Sequence, residues 1–430
     1  MEKLAPAHLA KAKQAAAILN DTAKGLPLLR SMNWDDRWRK KFLDTGALPR
    51  PKYSRVDTTH VHEAVASARA LLDGDHPVTE FVRRFSGTLE EMGGLLQSRG
   101  TAQFLNHSKA LFGEPTQFMI DRKTRVLDLA RHMDASLDGL DFDHLVMEGC
   151  QAEFGGVEFA KRLRPHLKYH FGEDAPRVEV RPNLSAKALA GRTRIRVKSS
   201  AVFGARDVDQ LLQHEALVHV ATGLNGAAQE GFPFLARAHA GTTEIQEGLA
   251  VFAEIISGAM DPDRFRRLGD RVLAIQMCLD GADFKEVFDF YVPRSHSREE
   301  AFENTRRIFR GGVITGGAPF TKDMVYLNGL LRVHNYMRSV VKLGRADLIR
   351  ILWSGKLDLQ DVPALAYLAE HGELTVPKYM PPWVQDLRFL VSYLAYSSFL
   401  NQVKMPGFSS HYEDALKDVP VIWNFTQVYH

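Results

Sequence analysis

The 430-residue chain contains only two cysteines, Cys150 and Cys278. A secreted domain held together by several disulfides is therefore excluded. A zinc site built from paired cysteines is excluded as well, because neither residue has a second cysteine near it in the sequence. We expect both thiols to be reduced and buried as small apolar side chains.

The chain also lacks a strong excess of charge of either sign. Lysine and arginine total 55 against 52 aspartates and glutamates, which gives a net charge of +3. The basic residues are scattered and form no stripe with stacking aromatics. Nucleic acid is therefore not expected as a partner.

Long apolar runs are missing too. No apolar stretch approaches the ~18 residues that a membrane helix needs, so no membrane partner is expected. The first residues, Met1 to Lys3, lead into an amphipathic stretch rich in alanine and lysine, without the apolar core and cleavage site of a signal peptide. These features predict a cytoplasmic protein. The sequence also has no internal repeat and no low-complexity tract.

The patterns that are present favour a mostly helical α+β fold with a small β-sheet. Strict alternation of polar and apolar residues at 177–180 and 193–198 predicts two short strands or a hairpin. The segment around Trp34 and Trp38 has the character of a loop, and the apolar helix at residues 383–402 is expected to be buried. The predicted divisions are an N-terminal extension at residues 1–55, a helical region at 56–175, a core with the candidate site at 176–340, and a C-terminal helical region at 341–430.

Two histidines enclose the sequence E-A-L-V at residues 214–219. In zinc peptidases of the H-E-x-x-H type the histidines are four apart, so they share one helix face and reach one ion. His214 and His219 are five apart, and on a regular α-helix their side chains would diverge by roughly 140°. A π-helical turn, which closes from residue i to i+5, restores the shared face. The spacing therefore predicts either no shared metal or a π-bulge in a helix near residues 208–222.

The surroundings place both histidines inside a helix. Asp207 is a plausible N-cap, and Gly223 and Asn225-Gly226 are typical stop signals. The alternating segment at 193–198 comes just before them. A strand followed by a histidine helix is the order of elements found in zincins.

A third ligand is expected, because catalytic zinc usually has three protein ligands and one open position. Residues 243–246 have the pattern of a capping box, so Glu247 should lie in the first turns of the next helix. Glu244 and Glu254 share a helix face with Glu247, either as outer partners of the ligands or as solvated carboxylates. With the two histidines, Glu247 predicts a Zn²⁺ site in a zincin-like metallopeptidase core with flanking helices.

Three motifs follow one another in order: H-E-x-x-x-H at residues 214–219, Q-E-G-L-A at 246–250, and a segment from Arg310-Gly311-Gly312 through Gly316-Gly317 to residues 320–323. Together they resemble the microtubule-associated tyrosine carboxypeptidase family and, more closely, its bacterial relatives, the flavohaemoglobin expression-modulating QEGLA-motif proteins. The likeness extends from about Trp34 to the C-terminus. It implies removal of C-terminal residues from peptides or proteins, but not the same substrate. The zinc ligands and catalytic carboxylate that it implies are His214, His219, Glu247 and Glu215.

In the mechanism that follows, Glu215 takes a proton from the attacking water and returns it to the leaving amine. Tyr326 is the first candidate to donate a hydrogen bond to the oxyanion, and His334 is the second. A carboxypeptidase also needs a cation to hold the terminal carboxylate of its substrate. Arg310 and Lys322, which belong to the third motif, are the candidates for this clamp. An aromatic or bulky apolar last residue should be preferred.

Two other functions stay open at this point. A catalytically silent, zinc-binding scaffold or regulatory protein would act through protein partners, although such a protein has no need of the general base Glu215. A different zinc hydrolase, such as an amidase or a deaminase, is the second alternative. The H-x-E…C-x-x-C pattern of deaminases is missing from the sequence.

Overall fold

A computed structural model describes residues 4–138, 153–182, 184 and 186–400. Over these residues the chain is mostly helical with five short strands, which confirms the mostly helical α+β prediction. Cys278 is buried and free, as expected, and burial raises the pKa of its thiol to about 12. Cys150 lies outside the described residues.

Seven helices of the described residues come before the three-stranded sheet. They are α1 (Pro6–Lys24), α2 (Arg37–Thr45), α3 (Thr59–Arg69), α4 (Pro77–Gln97), α5 (Phe104–Phe112), α6 (Val126–Asp138) and α7 (Gly156–Phe171). In α4, Pro77 stands at the start, where its missing N–H breaks no helical hydrogen bond. Phe81, Phe85 and Leu89 recur every four residues and bury one face of this helix.

Helix α2 occupies part of the segment that was predicted to be a loop, so that prediction was wrong. Phe42 is the one buried residue among the nine of this helix, which is too weak a signal to show an apolar face in the sequence. The ring of Phe42 packs edge-on against Phe284, with centroids 5.1 Å apart. Trp34 joins the same core and donates a hydrogen bond from Nε1 to Tyr53 Oη at 2.9 Å.

Five strands form two small sheets. β1 (Phe154–Gly155) pairs antiparallel with β5 (Val202–Phe203), and a second sheet contains β2 (Arg177–Arg181), β3 (Ala188–Gly191) and β4 (Arg194–Lys198). Strand β4 lies in the centre of the second sheet, parallel to β2 and antiparallel to β3. Both predicted strands are confirmed, but a hairpin between them is wrong. The intervening chain forms β3, whose small residues give no strand signal.

The two histidines lie on one long helical segment, here called the histidine segment. It consists of α8 (Ala205–Leu211), a π-helix (Leu212–Val220) and α9 (Ala221–Ala227). Gly204 is its N-cap, not Asp207, which lies three residues further on and accepts a hydrogen bond from Gly204 N at Oδ2 (2.9 Å).

The predicted stop at Gly223 and Asn225-Gly226 is also wrong, because these residues pack inside the fold. The Asn225 side chain donates to the carbonyls of Trp353 (2.8 Å) and Tyr379 (2.7 Å). A Cβ on Gly226 would lie 2.2 Å from the carbonyl oxygen of Leu235. Glycine is therefore required here for close packing within a helix and does not end it.

Nine helices of the described residues follow the histidine segment. They are α10 (Ala240–Ile256), α11 (Pro262–Leu279), α12 (Phe284–Tyr291), α13 (Arg298–Phe309), α14 (Val325–Lys342), α15 (Ala346–Arg350), α16 (Val362–Glu370), α17 (Pro382–Gln385) and α18 (Arg388–Leu400). Short 3₁₀ turns are present at Arg30–Met32, Gly172–Asp174, Pro233–Ala236, Val292–Arg294, Thr321–Met324, Ile351–Trp353 and Leu359–Asp361.

The apolar helix predicted at residues 383–402 is divided into α17 and α18, and its predicted burial is wrong. Leu390 and Leu394 are buried, whereas Phe389 and Phe399 are 59% and 62% exposed. Apolar residues all round a helix predict burial on all sides, but α18 places one face on the core.

The buried apolar residues form two cores. The larger one joins α1, α3, α4, the three-stranded sheet, the histidine segment, α10 and α14, and the smaller one joins α2, α6, α11, α12 and α13. None of the described helices combines the length and apolar character needed to span a bilayer.

Candidate metal centre

The π-helix brings the two histidines onto one face. The ring centroids of His214 and His219 lie 5.0 Å apart, and the ring planes meet at 83°. The predicted π-bulge is confirmed, and π geometry extends over all nine residues of Leu212–Val220. Five-residue spacing and a shared face are therefore compatible in this chain.

Glu247 completes a group of three side chains. Its Oε2 lies 3.4 Å from His214 Nε2 and 3.7 Å from His219 Nε2. One possible ligand atom from each residue lies within 4.8 Å of the other two, and no other such group occurs among the described residues. Two imidazole nitrogens and one carboxylate oxygen at this separation could hold a metal ion.

Glu247 lies further inside its helix than the sequence predicted. Helix α10 begins at Ala240 with His239 as N-cap, so Glu247 lies near the middle of the helix and not in its first turns. The predicted capping box at 243–246 is wrong, because the helix has already started there. A residue in the middle of a helix has a fully hydrogen-bonded backbone, which fixes the position of its side chain.

A buried carboxylate contacts the Nδ1 side of the His214 ring. Its Nδ1 lies 2.6 Å from Glu254 Oε1, and Arg264 donates to both oxygens of Glu254 at 3.2 and 3.1 Å. Burial would raise the pKa of Glu254, but Arg264 and His214 outweigh it and lower the pKa to about 2. The ionised carboxylate accepts the Nδ1 proton, so Nε2 is the nitrogen that faces Glu247. Of the two carboxylates for which an outer position was left open, Glu254 contacts His214, whereas Glu244 contacts Asn328 and Arg332.

His219 has a different support. Its Nδ1 lies 3.4 Å from the amide oxygen Oε1 of Gln246, and Lys356 Nζ donates to that same oxygen and to the His219 carbonyl, both at 3.0 Å. Lys356 is buried, and burial lowers its pKa to about 8 against the opposing effect of Glu247 and Glu215. One imidazole is thus supported by a carboxylate and the other by an amide.

The electrostatics of the group favour a positive charge. Burial would raise the pKa of Glu247, but Lys322 and the two histidines hold it well below its usual value. Burial would lower the pKa of His214, but Glu247 and Glu254 outweigh it and raise the pKa to about 10. The cluster therefore binds a proton tightly, and a divalent cation would take the place of that proton.

Glu215 contacts the sheet. Its Oε2 accepts a hydrogen bond from Ala190 N on β3 at 3.0 Å. Strand β3 pairs with β4 on one side only within the described residues, so it is an edge strand. Residues 188–191 of β3 line the same cleft as Glu215.

Another part of the cleft wall is cationic. Arg307 donates to both oxygens of Asp323 (2.6 and 2.8 Å) and to Tyr326 Oη (3.4 Å). Lys322 Nζ lies 3.7 Å from Glu247 Oε1. The guanidinium of Arg271 lies over the ring of Tyr326 at 4.2 Å. Arg307 and Lys322 are therefore already engaged with carboxylates.

Arg310 differs from these cations because it has no ion pair with a described residue. It is buried, it lines the cleft, and its Nε makes no hydrogen bond within the described part of the chain. Burial and the nearby Arg307 lower its pKa to about 10, so it is still charged at neutral pH. A buried charge without a partner is costly, and a carboxylate of a ligand would relieve that cost.

The three candidate ligands, Glu215 and the cationic wall face one cleft of about 480 Å³. Its volume is within the usual range for ligand sites. All but one of the residues predicted for the site line it: His214, Glu215, His219, Glu247, Arg310, Lys322 and Tyr326. An apolar part of the wall consists of Leu26, Leu28, Leu29, Met92 and Phe112.

Sequence reasoning missed several residues around the centre and misplaced one. His334 does not line the cleft and packs near Phe252, with ring centroids 6.3 Å apart, so it is wrong as a donor to the oxyanion. Lys356, Arg264 and Arg271 were not predicted. Each reaches the site from another element, and no local pattern in the sequence marks it. A buried lysine or arginine can be recognised only once its partner is known.

Sequence comparison gives one family. The family model described as "Microtubule-associated tyrosine carboxypeptidase" matches residues 40–402. A search of curated proteins gives no match. The matched region contains the histidine segment, α10, the cationic wall and Lys356, while the leucines of the apolar wall precede it.

Proposed function

Because the chain belongs to the microtubule-associated tyrosine carboxypeptidase family, we propose that it is a zinc-dependent carboxypeptidase that removes residues from the C-terminus of peptides or proteins. Family membership supports a carboxypeptidase-type activity. The observation that carries the proposal in this chain is the group of His214, His219 and Glu247 beside Glu215 in one cleft. The family name refers to tyrosine and microtubules. The substrate class proposed for this chain is broader, a polypeptide end with a free carboxylate.

The donor set fits zinc. Both imidazoles have acceptors near Nδ1, so each can present Nε2 to an ion, and Glu247 adds one carboxylate oxygen. Two nitrogens and one oxygen leave a fourth position open, as catalytic zinc sites do. When bound, zinc supplies Lewis acidity, which makes water acidic enough to act as a nucleophile near neutral pH.

The surrounding elements support a zincin-like core. The edge strand β3 lies beside Glu215, the histidine segment follows the sheet, and α10 supplies the third candidate ligand. An edge strand also offers free backbone groups to an extended peptide. We therefore propose that the substrate chain passes along β3.

Glu215 is assigned the proton transfers. The hydrogen bond from Ala190 N holds Oε2, which fixes the orientation of the carboxylate. Oε1 is assigned to take a proton from the attacking water and to deliver it to the leaving amine.

Tyr326 is assigned to donate a hydrogen bond to the oxyanion that forms during the reaction. Arg307 donates to the phenol oxygen, so the phenol's own proton is left for a negative oxygen in the cleft. The guanidinium over its ring adds positive charge nearby, which favours an anion at this point.

Arg310 is the preferred clamp for the terminal carboxylate, ahead of Lys322. Arg310 is buried and has no ionic partner among the residues that the structure describes, whereas Lys322 faces Glu247 at 3.7 Å. A guanidinium can also bind a carboxylate through two parallel hydrogen bonds. The apolar wall, which includes Leu29 and Phe112, supports a preference for a bulky apolar or aromatic last residue.

The decisive experiment compares one peptide in two forms, with a free C-terminus and with an amidated C-terminus. Zinc-loaded protein should shorten the free form from its end, as seen by mass spectrometry, and should leave the amidated form intact. Equal cutting of both forms, or internal cuts, would indicate an endopeptidase. No cutting across a pool of peptides with varied last residues would favour the silent zinc-binding scaffold.

A further inference from the structure

The two candidate imidazole ligands are supported by chemically different groups. Nδ1 of His214 contacts Glu254, an ionised carboxylate that can only accept a hydrogen bond. Nδ1 of His219 contacts the amide of Gln246, which can accept through Oε1 or donate through Nε2. The orientation of this amide therefore decides which nitrogen of His219 carries the proton.

The correct orientation matters for metal binding. With Oε1 toward His219, the imidazole keeps its proton on Nδ1 and offers the Nε2 lone pair to the ion. With the amide reversed, its N–H group would face Nδ1, and the proton would move to Nε2. A protonated Nε2 cannot act as a ligand.

Besides His219, two neighbours contact Oε1 of Gln246, and they differ in which orientation of the amide they allow. Thr222 Oγ1 lies 3.0 Å from Oε1, but it also lies 2.7 Å from the Val218 carbonyl, which can take its one proton. A hydroxyl can then accept a hydrogen bond from a reversed amide. Lys356 Nζ, at 3.0 Å, is an ammonium group that can only donate. Of these two, only Lys356 excludes the reversed amide.

The environment of Lys356 fits such a role. Its Nζ contacts the His219 carbonyl at 3.0 Å and Thr222 Oγ1 at 3.4 Å besides Gln246, so all three ammonium protons have a partner. The side chain therefore has no proton left for a substrate. Its backbone N–H donates to the Leu235 carbonyl at 2.7 Å, so the loop is anchored without the side chain.

We propose that Lys356 is a positioning residue that locks the amide of Gln246 and thereby holds His219 in the tautomer with a free Nε2. This inference rests on the proposed function, because it assigns Lys356 to the support of a metal ligand. It predicts that loss of the ammonium weakens zinc binding although Lys356 is not itself a ligand.

The test measures the zinc dissociation constant by competition with a chromophoric chelator. Lys356→Met, which keeps the length of the side chain but has no donor, should bind zinc roughly 10–100-fold more weakly, the usual effect of losing an outer partner of a ligand. Lys378→Met is the matched control, since Lys378 is an exposed lysine paired with Asp174, and its affinity should equal that of wild type.

Rescue separates the proposed role from a general structural one. Gln246→Glu replaces the reversible amide by a group that can only accept, so the double variant Lys356→Met/Gln246→Glu should regain most of the lost affinity. A second readout is the tautomer of His219 in metal-free protein, from ¹⁵N chemical shifts of the imidazole. It should be the Nδ1–H form in wild type and shift toward Nε2–H in Lys356→Met.

These measurements distinguish a failure of the proposed function from a failure of the role of Lys356. If wild type binds no zinc, the proposed function fails. If wild type binds zinc and Lys356→Met keeps its affinity and tautomer, or if Gln246→Glu gives no rescue, the role of Lys356 is overturned. Should Lys356→Met fail to fold, Lys356→Gln provides the same test, because an amide at this position no longer enforces one orientation of Gln246.

Discussion

Gly248 packs directly on the backbone of Gly329 where α10 meets α14. A Cβ on Gly248 would lie 2.1 Å from the carbonyl carbon of Gly329, and a Cβ on Gly329 would lie 2.1 Å from the Glu244 carbonyl oxygen. Since Gly248 follows Glu247 directly, this contact sets the position of the third candidate ligand. The glycine of the Q-E-G-L-A run is explained by the close approach of two helices.

Gly248→Ala should therefore destabilise the fold and weaken metal binding together. The added methyl group meets backbone and not a movable side chain, so the two helices must separate, at a cost of roughly 1–3 kcal/mol or more. Urea unfolding and zinc content would measure both effects. Gly87→Ala in α4 is the control, because a Cβ there meets only the flexible end of Arg69, at 3.9 Å. Equal stability of the two variants would contradict this account.

We expect one zinc ion per chain, bound through His214, His219 and Glu247. His219→Ala should lose the metal because it removes one of three ligands, and elemental analysis of purified protein would show the loss. His239→Ala should keep it, since His239 lines the same cleft but lies outside the ligand group. Wild-type protein that holds no zinc after supplementation would rule out the site.

Glu215→Gln should keep zinc and the fold while losing roughly 10²–10⁴ in turnover, the usual range for a general base. The amide can still occupy the place beside Ala190, but it cannot take a proton. Turnover of a free-acid peptide and zinc content would be measured on the same sample. Unchanged turnover would reject the assigned role, and loss of zinc would make Glu215 a ligand.

Arg310→Met should lower kcat/KM for a free-acid peptide by roughly 10²-fold or more, because a terminal carboxylate would lose its buried partner. Zinc content should not change. Arg192→Met is a useful control: Arg192 also lines the cleft but is exposed to solvent. If Arg310→Met cuts the peptide as fast as wild type, Lys322 becomes the first candidate for the clamp.

The ion pair between Asp323 and Arg307 should make the free energy of unfolding depend on pH in the acid range. Burial would raise the pKa of Asp323, but Arg307 and Arg271 outweigh it and hold the pKa far below its usual value. The folded state then binds fewer protons than the unfolded state. The stabilisation is therefore complete above the unfolded pKa of ~3.9 and is lost as pH falls toward the folded value.

Urea unfolding between pH 7 and pH 3 would measure this dependence. Asp323→Asn should lose about 3–5 kcal/mol at pH 7, because Arg307 is left without its buried partner. It should also lose less stability than wild type between pH 5 and pH 3. Parallel curves for the two proteins would show that Asp323 does not titrate in this way.

The ligand group was predictable because its chemistry leaves a local pattern. His214 and His219 lie on one helix, so their spacing left two outcomes, no shared metal or a π-bulge, and Glu247 followed from the need for a third ligand. The family was predictable for the same reason, since its motifs are short and ordered.

The residues that position the candidate ligands were not predictable in this way. Lys356 reaches His219 from more than a hundred residues away, and in the sequence it is one lysine among many. Strand β3 consists of small residues with little preference for a strand, and its place beside β4 is set by packing. The stop predicted at Gly223 failed because glycine permits both a turn and a close contact, and the sequence does not tell which is used.

The π-helix also fixes the orientation of everything that follows it. If the same residues were wound as a regular α-helix, without the π geometry, the rest of the helix would turn by about 100°. Asn225 would then leave the carbonyl of Trp353, and Gly226 would no longer face Leu235. The shared face of the histidines and the packing of α9 therefore depend on the same π geometry.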